Sequence, residues 1–545
     1  VTTVEVKQRD GLARIAEWSL GERDITLPAV EETLSLFPGL AESRMENVPL
    51  CADADFAGRY LAPGSCSPIR VHPAVRRDVP SGTCVLVPCW HTALANPRKY
   101  VEWLIGFKDS IPPDTVFYAP ATALPSNLAL LCYSGFDLFD FTAVDLMSAR
   151  GLVCRPEGTY PAAAWAGGDT PPSAQVLSDL NRAMLLRELE LVRFHIRTSS
   201  LRDLLESRCR MDASQVAVLR LLDRERSFLE KWVPVSRPGP LRATTGEALT
   251  RVEVARFAER VVTRYRPPNA GVAVLLPCSA KKPYSHSQSH RKFAMAICGR
   301  ALELIVTSPL GLVPRDLERV YPAAHYDVPV TGYWDGEEKA RIREIIARFF
   351  QNHRFRRVIA HLDGGALEVA QAAAGAAGID LEVTCERHPL SPPSLRALDE
   401  ALSGQPPVTH DSVRATASYQ FDQDVDTAGL FVKARFPELR VFRGKDPIFS
   451  LDPSTGLLRP TFRGWDLIPE GYRVHIDAFV PTGDILVPGV IDADPRILEG
   501  DEVLVTGPQA IATGRAAMSA DEMLRSRRGV AVRVRKVKMT GDQNV

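Results

Sequence analysis

Within seven residues the chain carries Pro234, Pro238, Gly239 and Pro240. Each proline fixes φ and removes a backbone donor, so neither a helix interior nor a central strand passes through this stretch. The fold must be cut there. A second break, Gly404 to Pro407, divides the remainder. With 545 residues the chain exceeds one ordinary domain, and about three to five units are expected. The reading is multidomain α/β plus β, with units at 1–236, 241–403, 408–469 and 470–541.

Before the first break, Val85 to Pro88 and Val116 to Tyr118 read as buried strands, and Leu128 to Tyr133 and Ala143 to Arg150 as helices. The strongest helix is expected from Ser173 to Glu206, where Leu177, Leu180, Met184, Leu185, Leu189, Val192 and Ile196 recur at three- and four-residue spacing. This alternation suits a TIM-like α/β barrel. After the break come a strand at Val272 to Leu276, a helix at Arg291 to Leu302, a strand at Leu304 to Thr307, a helix at Glu337 to Asn352 and a strand at Val358 to His361. That order predicts a parallel sheet with its ligand at the carboxyl ends of the strands. A small α+β segment follows. From Tyr472 the alternating runs VHIDAF, ILVPGVI and EVLVTG predict a mainly β domain.

Lys plus Arg equals Asp plus Glu at 66 each, so any nucleic-acid surface must be local. Apolar residues at 45% exclude a disordered chain. The ten cysteines, at 51, 66, 84, 89, 132, 154, 209, 278, 298 and 385, form neither a CxxC pair nor a compact disulfide framework. Reduced thiols in a cytoplasm are the expectation. The first residues lack a signal-peptide pattern, and no apolar run approaches the length of a membrane span.

The densest set of reactive groups is PCSAKKPYSHSQSH, Pro277 to His290. It joins a strand end to a helix start, where backbone N–H groups and the helix dipole hold anions and lower a thiol's pKa. Cys278 is a candidate nucleophile, and Lys281 and Lys282 would favour its thiolate. Ser287 and His290, three apart, would meet at the helix start and move protons. Taken alone, Cys278 would pack as a small buried hydrophobe and His290 serve as a cap; the density of polar groups at a strand's carboxyl end favours a site instead. HLDGG, His361 to Gly365, follows another strand, and Asp363 there could orient a base or a lysine, or simply close a turn. The turn at Thr307, Ser308 and Pro309 has the equivalent place on its own strand.

From Arg525 to Lys538 the chain has seven Lys or Arg, Arg525, Arg527, Arg528, Arg533, Arg535, Lys536 and Lys538, and no acidic residue. Such a basic strand suits phosphates, although a solvated edge strand would carry charges too. Aromatic residues are absent from the run, so backbone and shape recognition of folded RNA fits better than base stacking.

Three resemblances bear on these residues. The segment from VLVPGVIDADP to VRVRKV, with GDEV at Gly500 to Val503 and the AxGxAxMS run at Ala512 to Ser519, resembles a PUA domain, a small RNA-binding β-barrel. The central pattern PC-x3-KPY-x2-S-x2-H, carried by Pro277, Cys278, Lys282, Pro283, Tyr284, Ser287 and His290, resembles the archaeosine synthase family. The N-terminal region, in ARIAEW, ITLPAV, YAPATALPSNLALLCYSGFDLFDFTAVDLMSARG and LNRAMLLRELELVRFHIRTSSLRDLLESR, resembles the tRNA-guanine transglycosylase barrel. Active transglycosylases hold zinc through a CxCxxC cluster and a later His. Here only Cys154 stands in that stretch, Leu180 occupies the expected His position, and no DSGxFQ-like segment supplies a catalytic Asp. A degenerate (β/α)8 barrel without metal or exchange chemistry is expected.

The archaeosine synthase resemblance implies an archaeal transferase that needs no cofactor and acts on 7-cyano-7-deazaguanine already present in the D-arm of tRNA. An amine adds to the nitrile, giving archaeosine or a lysine adduct that a partner radical enzyme cleaves. Lysine is the expected donor, with glutamine or ammonia as alternatives, and a homodimer is compatible with the reading. Cys278 would add as thiolate, Lys282 would stabilise developing charge, His290 would deliver the proton, and Tyr284 and Ser287 would position base or amine. A zinc-less tRNA-binding accessory protein and an authentic transglycosylase are the competing readings.

Overall fold

The computed structural model describes residues 3–42, 48–61, 67–166, 172–329, 333–435 and 438–540. Cys66 and residue 541, the end of the expected C-terminal domain, lie outside them. The chain forms two compact units, one of Val1–Pro234 with Arg473–Val545 and one of Val235–Tyr472. The first proline of the cluster thus ends a unit.

The first unit begins with an antiparallel sheet of three strands, β1 (Thr3–Asp10), β2 (Ala13–Leu20) and β3 (Arg23–Leu27). A parallel sheet follows, from β4 (Ala29–Val30), β5 (Ile69–Arg70), β6 (Cys84–Leu86), β7 (Val116–Tyr118) and β8 (Leu138–Phe139), in the order β4-β8-β7-β6-β5. Five parallel strands among the described residues replace the eight expected of a (β/α)8 barrel. The reason lies in how the chain is spent, with an antiparallel sheet at the start and helices from Ala174 onward. Trp18, Leu27, Val116, Tyr118 and Leu138 share the core between the two sheets. Arg14 of β2 reaches Asp137 at 2.9 and 2.8 Å, and Asp137 also accepts from the Phe117 amide. That fully paired ion bridge fixes one sheet against the other.

The long helix expected from Ser173 to Glu206 is two helices, α1 (Ala174–Arg197) and α2 (Leu201–Arg208). Ser199 takes a positive φ of 52°. Thr198 donates its hydroxyl to the Phe194 carbonyl, and Asp10 caps the Leu201 amide at 2.7 Å. Hydroxyl residues that satisfy backbone groups locally end helices, which the apolar spacing does not reveal. In the same unit, residues 473–539 form a six-stranded, mainly antiparallel sheet in which Val530–Met539 pairs with Ala510–Ala516.

In the second unit a five-stranded sheet has the order β11-β10-β9-β12-β13, with β9 (Val272–Pro277), β10 (Leu302–Thr307), β11 (Gly311–Pro314), β12 (Arg357–Ala360) and β13 (Leu381–Val383). All neighbours are parallel except β10 and β11. Helix α3 (Gln288–Ile297) starts earlier than the expected Arg291 and ends at Cys298, which has left-handed φ. Helices α4 (Gly336–Asn352), α5 (Gly364–Ala377) and α6 (Pro392–Ala401) complete the layers. Val272, Val274 and Leu276 point toward α3 and α6, packing with Phe293, Ile297 and Leu398. Along β9 the chain crosses to β10 on one side, and it returns to β12 on the other. The strand order therefore reverses at β9 and β12, and their carboxyl ends open a crevice.

An antiparallel meander closes this unit: β14 (Leu430–Arg435), β15 (Glu438–Arg443), β16 (Asp446–Leu451) and β17 (Leu458–Pro460). No described helix is long and apolar enough to cross a membrane.

Candidate active site

A cavity of about 390 Å³ opens at the carboxyl ends of β9, β10 and β12. Its walls include Cys278 after β9, Ser308 and Pro309 after β10, and Asp363, Gly364, Gly365 and Ala366 after β12. Tyr333, Trp334, Asp335 and Glu338 line it from the start of α4, and Thr244, Thr245 and Gly246 from the loop after a short strand, Leu241–Arg242. Ser308 donates to Glu338 at 2.6 Å, and Glu338 and Asp335 form a reciprocal cap on α4. That helix start is self-satisfied. At α5 the cap residue Asp363 makes no side-chain cap bond, and the first residues of α5, Gly364, Gly365 and Ala366, line the cavity with the positive end of the helix.

Cys278 is accessible at the cavity surface yet surrounded by protein on its other sides. Desolvation pushes its thiol up, while a hydrogen bond with Thr307 and the charge of Lys282 pull it down. Burial in turn lowers Lys282, opposed by Cys278 and Asp327. Its ammonium lies 3.9 Å from the ring centre of Tyr326. Thr307 Oγ1 is 2.6 Å from the Tyr326 hydroxyl, which is 2.5 Å from that of Tyr284. A file of hydroxyls thus runs beneath the thiol. Tyr284 is fully buried at its inner end, so it supports the site without lining the cavity.

Two of the expected proton-moving residues stand elsewhere. Ser287 caps α3, its Oγ accepting from the His290 amide at 3.2 Å. His290 is 1% exposed and packs between the rings of Tyr284 and Phe293. Arg315 donates to its Nδ1 at 2.7 Å and pairs with Glu303 and Glu318. Burial and then this cation push the imidazole down to about 3, so near neutrality it is neutral and an acceptor toward Arg315. The sequence expectation that His290 delivers a proton to the substrate is corrected on both counts, position and charge. Thr307 was singled out only as part of a turn, and Tyr326 and Glu338 carried no signal in the sequence, because their roles depend on long-range packing.

In the other unit, Cys154 is buried and its amide donates to Asn181 Oδ1 at 2.7 Å, while Asn181 Nδ2 reaches Ser148 and Leu152. This amide side chain ties the hairpin of Leu152–Arg155 and Gly158–Pro161 to α1. Of the basic C-terminal set, Arg527, Arg528, Arg533, Arg535, Lys536 and Lys538 are exposed. Arg525 is not available in the same way. Its Nη2 donates to the carbonyls of Lys108, Asp109 and Ile111, each at 2.9 Å. Arg535 pairs with Glu502.

A parallel-sheet domain with a cysteine-bearing crevice thus shares the chain with a β-domain that exposes a basic strand. Residues 254–402 match a family described as a domain of unknown function, DUF5591, and residues 473–538 match the PUA domain. The chain is 41% identical over 486 residues to the archaeosine synthase subunit alpha of Methanosarcina acetivorans, covering 81% of this chain and 78% of that one. It is 35% identical to the archaeosine synthase of Haloferax volcanii, covering 98% and 99%. A tRNA-guanine(15) transglycosylase of Methanothermobacter thermautotrophicus is 27% identical over 267 residues, or 45% of this chain. The chain belongs to the archaeosine synthase family.

Proposed function

We propose that the crevice at Cys278 adds an amine to the nitrile of 7-cyano-7-deazaguanine in tRNA, as the archaeosine synthase relatives suggest. The observation that carries this reading is that Cys278 and the start of α5 line one cavity. The Cys278 thiolate bonds to the nitrile carbon, and the nitrile nitrogen, gaining negative charge, faces the α5 amides and takes a proton. Lys282, with its ammonium weakened by burial, is the donor in place of His290. An amine then adds to the thioimidate carbon and gives a proton back to Lys282, the C–S bond breaks, and the amidine leaves with the thiolate and the Lys282 ammonium restored. Asp363, whose carboxylate makes no cap bond and lines the cavity, would hold the ammonium of an amino-acid donor, with lysine as the favoured donor. Tyr333 and Trp334, on the cavity wall, would stack on the base.

The four segments are assigned accordingly: 241–403 catalyses, 470–541 holds tRNA through its basic strand, 1–236 is a transglycosylase-like scaffold, and 408–469 is a smaller α+β part. The name subunit alpha, borne by the Methanosarcina relative, suggests a partner subunit, which would process a lysine adduct. Mass spectrometry of nitrile-bearing tRNA incubated with the protein and each candidate amine tests the reading. Adduct formation is expected with one amine, together with a trappable thioimidate. Near-normal turnover by Cys278→Ser would exclude the covalent route.

A further inference from the structure

The meander lies in the stretch between the two family matches, which end at 402 and resume at 473. Its register pairs Phe431 with Phe442 and Lys433 with Arg440, then Arg440 with Ser450 and Ser450 with Arg459. Alternation along each strand puts all of these on one face. The other face carries Val441, Phe449 and Leu458, each nearly fully buried. Phe431, by contrast, is 44% exposed. Its ring stacks on Phe442 with centroids 5.8 Å apart and planes at 21°. Lys433 Nζ lies 6.0 Å from the Phe442 ring centre.

Lys433, Arg440 and Arg459 share this face. From Leu430 to Arg463 there are seven Lys or Arg against three Asp or Glu, in a chain that is neutral overall. Two of those acids pair with two of those cations, Asp446 with Arg463 and Asp452 with Arg459, which leaves five cations against one acid in the sequence. A flat aromatic pair flanked by cations, without a broad apolar surround, fits an unpaired base with its phosphates better than a protein partner.

We propose that this face of the meander is a second RNA-contact surface, on which an unpaired nucleotide of the substrate tRNA stacks against Phe431 while Lys433 and Arg440 meet its backbone. It rests on the reading of the chain as a tRNA-modifying enzyme and adds a base-stacking contact to the phosphate contacts of the C-terminal strand.

The test is binding of the full chain to a tRNA transcript lacking the nitrile base, which separates recognition from chemistry. Phe431→Ala should weaken binding about tenfold, Phe431→Trp should retain it, and Lys433→Ala should lower the salt dependence by about one counterion. Blunt duplex RNA should bind equally to wild type and Phe431→Ala. Unchanged tRNA affinity of Phe431→Ala, or an equal loss on the duplex, would overturn the surface and leave the catalytic reading intact. Failure of the wild type to bind tRNA would overturn both.

Discussion

The hydroxyl of Tyr284 lies 2.5 Å from that of Tyr326, and Tyr284 has no solvent exposure. Burial pushes both phenols well above their ordinary range, so they stay neutral and act as hydrogen-bond links. Tyr326→Phe would leave the Tyr284 hydroxyl buried without this partner and break the file at its centre. A loss of roughly 1–3 kcal/mol is expected, measured by chemical denaturation, with the ring stack on Lys282 retained. Unchanged stability would show that the phenol pair carries no net energy.

Thr307 sits at the outer end of the same file. Its hydrogen bond is the largest influence that holds the Cys278 thiol down against burial. Removing it by Thr307→Val should raise the thiol further, so less thiolate exists at a given pH. Alkylation of Cys278 should then show its pH midpoint moved upward, and the acid limb of kcat/KM should move with it. A midpoint that stays in place would assign Thr307 to packing alone.

This file shows where sequence reading succeeds and where it stops. Strands β7, β9 and β12 were legible because buried parallel strands are short apolar runs, and Cys278 and Asp363 followed as residues just past strand ends. His290 was misread because spacing within a motif says that two residues share a helix start, not which way a ring points. Its environment is set by Arg315, Glu303 and Glu318, brought in from β10 and beyond. Likewise the spacing of apolar residues ran α1 and α2 together, since the interrupting hydroxyl bonds at Thr198 and the Asp10 cap are tertiary or local polar effects that periodicity does not record.

The buried His290 has a consequence for acid stability. Its folded pKa, about 3, lies below the ordinary value near 6.5, so the folded protein favours the neutral ring. The associated stability is full above about pH 6.5 and is lost as pH falls toward 3, because the unfolded chain binds the proton first. His290→Gln keeps an acceptor for Arg315 without titrating. Thermal unfolding should find the variant gaining on the wild type from pH 7 to pH 4.5, by up to about 1.4 kcal/mol per pH unit. A constant difference across that range would contradict the assignment. Since His353 and His361 are also held low, only the difference between variant and wild type is diagnostic.

Arg525 and Lys538 belong to one basic run but should fail differently. Arg525 satisfies three main-chain carbonyls, of Lys108, Asp109 and Ile111, and its Nη1 reaches Asp521 at 2.8 Å. Its truncation leaves those carbonyls short of a charged donor, and charged hydrogen bonds are the stronger kind. Arg525→Ala should therefore lower the melting temperature while leaving the salt dependence of tRNA binding where it was. Lys538 is exposed near the end of the C-terminal strand. Lys538→Ala should leave melting unchanged and reduce the salt slope of tRNA binding by about one. Paired titrations at several salt concentrations, with melting curves of both variants, decide the matter. If Arg525→Ala alone flattened the salt slope, the strut would be a phosphate contact after all, and the basic strand would have to be counted from Arg525 as the sequence first suggests.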